Sequence, residues 1–150
     1  MSNSDIRILE SPPLAKEYNH LRTLCDWFVH PEEYVKFAID NSLYWVSIYD
    51  RDHLIGMGRI VGDGRLCFYI QDVIVAPCKQ RQGFGGLVMD KLMKYLHDNA
   101  AKNAYIGLMC KKGMSRFYEQ YGFISRPNEQ LGPGMVLRNF DPLEIKDYRR

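Results

Sequence analysis

Hydrophobic spacing changes several times along the chain, and each change predicts an element. Ile6 to Leu9 reads as a short first strand. Ser11-Pro12-Pro13 then caps a helix whose apolar residues Leu14, Tyr18, Leu21 and Leu24 recur every three or four positions. Asp26 to Pro31 interrupts it, and a second helix follows Pro31 with Tyr34, Phe37 and Ala38 on one side, ending at Asn41-Ser42. Leu43 to Tyr49 and His53 to Val61 read as strands joined by the polar turn Asp50-Arg51-Asp52. A second hairpin turn, Gly62-Asp63-Gly64, leads into a central strand over Leu66 to Val75, rich in β-branched and aromatic residues and stopped by Pro77. Val88, Leu92 and Leu96, with Met89 and Met93 beside them, form the stripe of a helix packed on a core. Ala104 to Cys110 suits a buried strand parallel to the central one. Gly132-Pro133-Gly134 marks a turn before a last strand near Met135 to Leu137, and the tail from Asp141 to Arg150 has room for a helical turn.

Composition narrows the class of protein. A chain of 150 residues with 46% hydrophobic and 25% charged residues suits one globular domain with one core. The net charge of +2 is too small to argue for nucleic acid or a membrane surface as partner. The start lacks the basic and apolar regions of a signal peptide and no apolar run is long enough to cross a bilayer, so a cytoplasmic protein is expected. Cys25, Cys67, Cys78 and Cys110 form no C-x-x-C pair and have no histidine at zinc spacing, which points to free thiols and no metal. Cys110 reads as a small core residue, with no histidine nearby in sequence to activate it.

The stretch that carries chemistry lies between the central strand and the long helix. Gly83, Gly85 and Gly86 stand where the helix starts, so backbone N–H groups can point outward unshielded, at the positive end of the helix dipole. Gln80 and Arg81 add donors, and a phosphate or pyrophosphate fits such a place. The phosphate loop of nucleotide triphosphatases requires Gly-Lys-Ser/Thr, but Leu87 and Val88 follow Gly86. The dinucleotide fingerprint requires a third glycine where Val88 stands.

Gln80-x-x-Gly83-x-Gly85, after a strand ending Val-x-Val-x-Pro and before an amphipathic helix, resembles the pyrophosphate motif of the GNAT superfamily of acetyl-CoA-dependent N-acetyltransferases. Arg116-Phe117-Tyr118-Glu119-Gln120-Tyr121-Gly122-Phe123 is similar to that family's closing helix. The resemblance implies a single α/β domain over residues 1–150, with a mixed, mostly antiparallel sheet splayed at its central parallel strand pair and about four flanking helices. It further implies acetyl-CoA as cosubstrate, with no metal. The pantetheine arm would pair with the backbone of Val73, Ile74 and Val75, and the pyrophosphate would sit on Gln80, Arg81, Gln82, Gly83, Phe84, Gly85 and Gly86.

By the same resemblance the reaction is transfer of acetyl to a primary amine of a small molecule, with Tyr118 protonating the departing thiolate. Asp72 stands where relatives often have a carboxylate. It would bind or deprotonate the amine, or else be a strand carboxylate at a wet edge or paired with Arg59, and a strand bulge there would alter which way it faces. Gln71 stands where some relatives have a glutamate, Tyr69 could relay a proton through water, and Trp27 and Tyr34 would line the acceptor wall or close the core. Lys111 replaces an asparagine that contacts the cosubstrate in many relatives. Two other functions fit the same motifs: a domain that binds CoA without turnover, and an acetyltransferase of protein lysines or N-termini. The partner expected is a small amine, with no nucleic acid and no membrane, and a homodimer is compatible with the resemblance.

Overall fold

The computed structural model describes residues 5–144, which fall into two compact units, one up to Cys110 and one from Lys111. The first unit runs β1 (Ile6–Leu9), α1 (Ala15–Leu24), α2 (Glu32–Asp40), β2 (Tyr44–Asp50), β3 (His53–Gly62), β4 (Cys67–Val75), a 3-10 turn (Pro77–Lys79), α3 (Phe84–Asn99) and β5 (Tyr105–Leu108). The second contains α4 (Ser115–Glu119). The strands form one sheet in chain order, antiparallel from β1 to β4 and parallel between β4 and β5. This is the mixed α/β sheet that the sequence predicts. No helix of the described residues is long and apolar enough to cross a membrane.

Both faces of the sheet are covered. Tyr18 and Leu21 of α1 and Val35 of α2 join Trp45, Met57 and Ile74 in one buried cluster. On α3, Val88, Met89, Leu92 and Leu96 are buried, and that helix packs across β2, β3 and β4. Asp63 fixes the entry to β4, because its Oδ1 accepts from the backbone N–H groups of Arg65, Leu66 and Cys67 at 2.8, 2.8 and 3.1 Å. Those three bonds hold its carboxyl below the usual carboxylate range.

Between Met57↔Ile74 and Arg59↔Gln71 the β3–β4 register shifts, so Gly58 alone faces Asp72 and Val73. The extra residue makes a bulge, and Asp72 adopts a left-handed conformation with φ 57°. Aspartate tolerates that region better than most side chains. Gly58 is required by packing: a Cβ there would stand 2.6 Å from Val88 Cγ1 and 3.1 Å from Leu92 Cδ1. Gly58→Ala is expected to cost about 1–3 kcal/mol, as overpacked cores do, measured by urea unfolding, and Val88→Ala in the same chain should recover part of it.

Three expectations need correction. Residues 135–137 form no strand in the structure; Met135, Val136 and Leu137 lie exposed in irregular chain. A run of three apolar residues marks a strand only where a neighbouring edge pairs with it. On α2 the inward residue is Val35, while Tyr34 and Phe37 face out, since two overlapping apolar stripes satisfy the same helical spacing. Cys110 is exposed rather than a core residue. The expected helical turn in the tail reaches past residue 144 and lies partly outside the described residues.

Candidate functional site

β4 is nine residues long and β5 only four, and their parallel pairing ends at Ile70↔Leu108. From Gln71 to Val75 the strand has no strand partner on that side among the described residues. Polar backbone along a buried strand must be satisfied, so an open edge within the sheet is a place for an added strand or an extended ligand. The geometry at its end shows which groups face outward. Ala76 N–H bonds Ile55 O at 2.8 Å toward β3, which turns the Val75 carbonyl to the open side. There it accepts from Gln80 Nε2 at 3.0 Å and from Cys25 Sγ at 3.6 Å.

The chain then turns directly into α3. Arg81 has φ 60°, and Gly83, the residue that caps the helix, has φ 87° with nothing within 4 Å of where its Cβ would stand. Glycine removes the strain of that left-handed position. Leu87 N–H closes the first helical bond, on Gly83 O at 3.1 Å. The amides of Gly83, Phe84 and Gly85 precede it, at the positive end of a helix of 16 residues. Gln82 is occupied differently, its Nε2 bonding Cys78 O at 3.2 Å.

On the other face of β4, the bulge sends Asp72 inward to a cluster that spans three elements. Its Oδ1 accepts from Arg22 Nη1 at 2.7 Å, and its Oδ2 from Tyr18 Oη and Arg59 Nε, each at 2.8 Å. The Asp72 side chain is 0% exposed, against 9% and 15% for Arg22 and Arg59. Burial and the adjacent carboxylate push the Tyr18 phenol up to about 12, so it stays a donor. Each guanidinium also lies against aromatic rings, Arg22 over Trp27 and Tyr18, and Arg59 over Trp45. Burial, and then the charge of Arg22, lowers His30 below the ordinary histidine range.

The sequence-predicted site residues therefore separate into groups. Val73, Ile74, Val75 and the run from Gln80 to Gly86 lie together, along one edge and around one turn. Asp72 pairs with Arg59, and both its oxygens are engaged; to serve as a base it would have to give up a guanidinium or a phenol. Trp27 is half-buried beneath Arg22, whereas Tyr34 is exposed on α2. Gln71 is half-buried opposite Arg59 in the register, and Tyr69 bonds the Met109 backbone, with burial raising its pKa. Tyr118 and Lys111 belong to the second unit, where the Tyr118 ring meets Phe117 and Phe123 edge to face. Arg22 escaped the sequence reading, which took Tyr18 only as part of the apolar stripe of its helix and not as a partner of Asp72. The available signal was the phase of β4, since Asp72 follows Phe68 and Ile70 at every second position and shares their buried face rather than a wet edge, where a carboxylate requires a cation.

An open parallel-strand edge that runs into a glycine-rich helix start defines an α/β domain suited to an extended, anionic ligand. The chain belongs to the GNAT acetyltransferase family, since a family model described as an acetyltransferase (GNAT) domain matches residues 14–140. It is 33% identical over 119 residues to the uncharacterized N-acetyltransferase ycf52 of Gracilaria tenuistipitata var. liui, an alignment covering 75% of this chain and 64% of that protein. It therefore spans just under two thirds of that relative's length. Among solved structures, it is similar to a protein of unknown function from meticillin-resistant Staphylococcus aureus, described as a probable acetyltransferase. That match has 31% identity and TM-score 0.81, and covers 89% of this chain and 98% of the other. A GNAT family acetyltransferase from Streptococcus pneumoniae matches at 26% identity and TM-score 0.70, covering 91% and 99%.

Proposed function

We propose that this chain transfers the acetyl group of acetyl-CoA directly to a primary amine of a small molecule. The observation that supports it most is the continuity of the open β4 edge with the amides at the start of α3. An arm carrying amides fits the edge and a pyrophosphate fits the turn. Val73, Ile74 and Val75 would hold the first through backbone groups. Gln80, Arg81, Gln82, Gly83, Phe84, Gly85 and Gly86 would hold the second.

Acetyl-CoA supplies a thioester, which an uncharged amine attacks. An ordinary alkylamine has a pKa of about 10.4, so its proton must leave first. Tyr69, kept neutral by burial, is suited to pass that proton along water rather than to hold it. Tyr118 is the proposed proton donor to the departing thiolate, since phenol and thiol pKa values lie within about two units. Trp27, Gln71 and Tyr69 are the proposed acceptor wall, with Tyr34 at its rim. Asp72 takes a positioning role here: it fixes Arg22 and Arg59 and does not accept the amine's proton.

Two measurements test the reading. Gly85→Val should abolish acetyl-CoA binding in calorimetry while the circular dichroism spectrum stays that of the parent, because a side chain at that amide blocks close approach. Thiol release from acetyl-CoA across a panel of small amines and lysine peptides should then depend on the small amine. Binding without release would favour a CoA-binding domain without turnover. Release with peptides alone would favour protein acetylation, and unchanged affinity in the variant would remove the cosubstrate assignment.

A further inference from the structure

We infer that the acceptor carries an anionic oxygen group, a carboxylate or a phosphate monoester, apart from its reacting amine, and that Arg22 and Arg59 read it. This rests on the acyl-transfer reading for the identity of the ligand, and on the Arg22–Asp72–Arg59 cluster for its charge. Among the described residues, Asp72 is the only carboxylate within ion-pair distance of either arginine. Two guanidinium ions therefore share one carboxylate in a largely buried place. His30 carries no negative charge in either protonation state and so offsets neither arginine. The balance is one uncompensated positive charge where charge is costly to bury.

The hydrogen bonds show where that charge is offered. Arg22 uses Nε on Phe28 O at 2.7 Å and Nη1 on Asp72. Arg59 uses Nε on Asp72 and Nη1 on Ser42 Oγ at 3.1 Å. Nη2 of each has no protein partner among the described residues, and neither is among the sealed atoms lacking a hydrogen bond. Trp45 Nε1 is such an atom: a buried donor without a partner, on the indole over which Arg59 lies. Planar guanidinium donors with free N–H groups match the two oxygens of a carboxylate or phosphate, while an ammonium would be repelled.

A contrast within the same unit strengthens the point. A cavity of about 690 Å³ at the β2–β3 turn is lined by three cations, Lys16, Arg51 and Lys79, and three carboxylates, Glu17, Asp50 and Asp52. It favours neither sign. The arginine cluster, on the α1 side of the bulge, favours anions alone.

The test compares matched ligands on the full chain in the presence of CoA: 4-aminobutyrate against 4-aminobutanamide, and phosphoethanolamine against ethanolamine. Calorimetry should show the ligand with the anionic group binding roughly ten- to hundredfold more tightly than the partner that lacks it in at least one pair, and the pair that discriminates identifies the group. Arg59→Gln should erase that ratio while leaving acetyl-CoA affinity as in the parent, and Arg59→Lys, which keeps the charge without the fork, should reduce it. An arginine with a purely structural role would shift the melting temperature of the variants and leave the ratio intact. Equal affinity within both pairs, no binding by any of the four, or an undiminished ratio in Arg59→Gln would overturn the inference. Acetyl-CoA binding and thiol release, measured separately, show whether the acyl-transfer reading survives.

Discussion

Tyr118→Phe is expected to turn over about 10²-fold or more slowly than the parent while binding acetyl-CoA with nearly the same affinity. The ring contacts with Phe117 and Phe123 are edge to face and need no hydroxyl, so the variant keeps its packing. In the proposed role what it loses is the proton for the leaving thiolate, and the loss should appear in kcat and in kcat/KM together. The measurement is steady-state thiol release with a good acceptor, joined to calorimetry with acetyl-CoA. A variant that matches the parent in kcat would make Tyr118 one more aromatic of its helix.

Asp72→Asn is expected to be the most destabilising isosteric change in the first unit, by about 3–5 kcal/mol, because it leaves Arg22 and Arg59 facing each other without the charge that holds both. Asparagine tolerates the left-handed backbone at this position nearly as well as aspartate, so the loss would reflect charge rather than strain. For a chain of this size that corresponds to a fall in melting temperature on the order of 10 °C. A carboxylate acting as catalytic base would behave otherwise, lowering kcat and shifting its pH profile with the melting temperature held. Thermal unfolding and the pH profile of the same variant separate the two roles.

What was legible in the sequence was whatever depends on local chemistry. The glycines at positions 83, 85 and 86 announce a helix start, and α3 begins at Phe84. The apolar runs between Leu43 and Val75, divided by the turns Asp50-Arg51-Asp52 and Gly62-Asp63-Gly64, announce a meander, and β2, β3 and β4 fall within a residue or two of them. The bulge near Asp72 was also readable as a possibility, and the register shift is there. Of the arginine cluster, the Asp72–Arg59 pair was readable as an alternative, whereas the part of Arg22 was not legible. Arg22 lies on the core-facing side of α1, 50 residues from Asp72, and helical spacing alone would leave a charged residue to solvent. Only the fold brings the two together. The choice between Tyr34 and Val35 as the inward residue of α2 has the same origin, since both stripes are apolar and the partner surface decides. Met135 to Leu137 resembles a strand in residue type, but strand formation depends on an edge elsewhere in space.

The inequality in length between β4 and β5 bears on the solubility of the protein as well as on its chemistry. Five residues of strand beyond the last paired position amount to roughly 16 Å of edge without a strand partner among the described residues, its last carbonyl, on Val75, being taken by Gln80 and Cys25. An edge of that length can recruit another copy of the same chain as readily as it can accept a ligand. The two compete by mass action for the same row of peptide groups, so an abundant ligand there also suppresses self-association. The colloidal behaviour of this protein would thereby be linked to the supply of any ligand that occupies the edge.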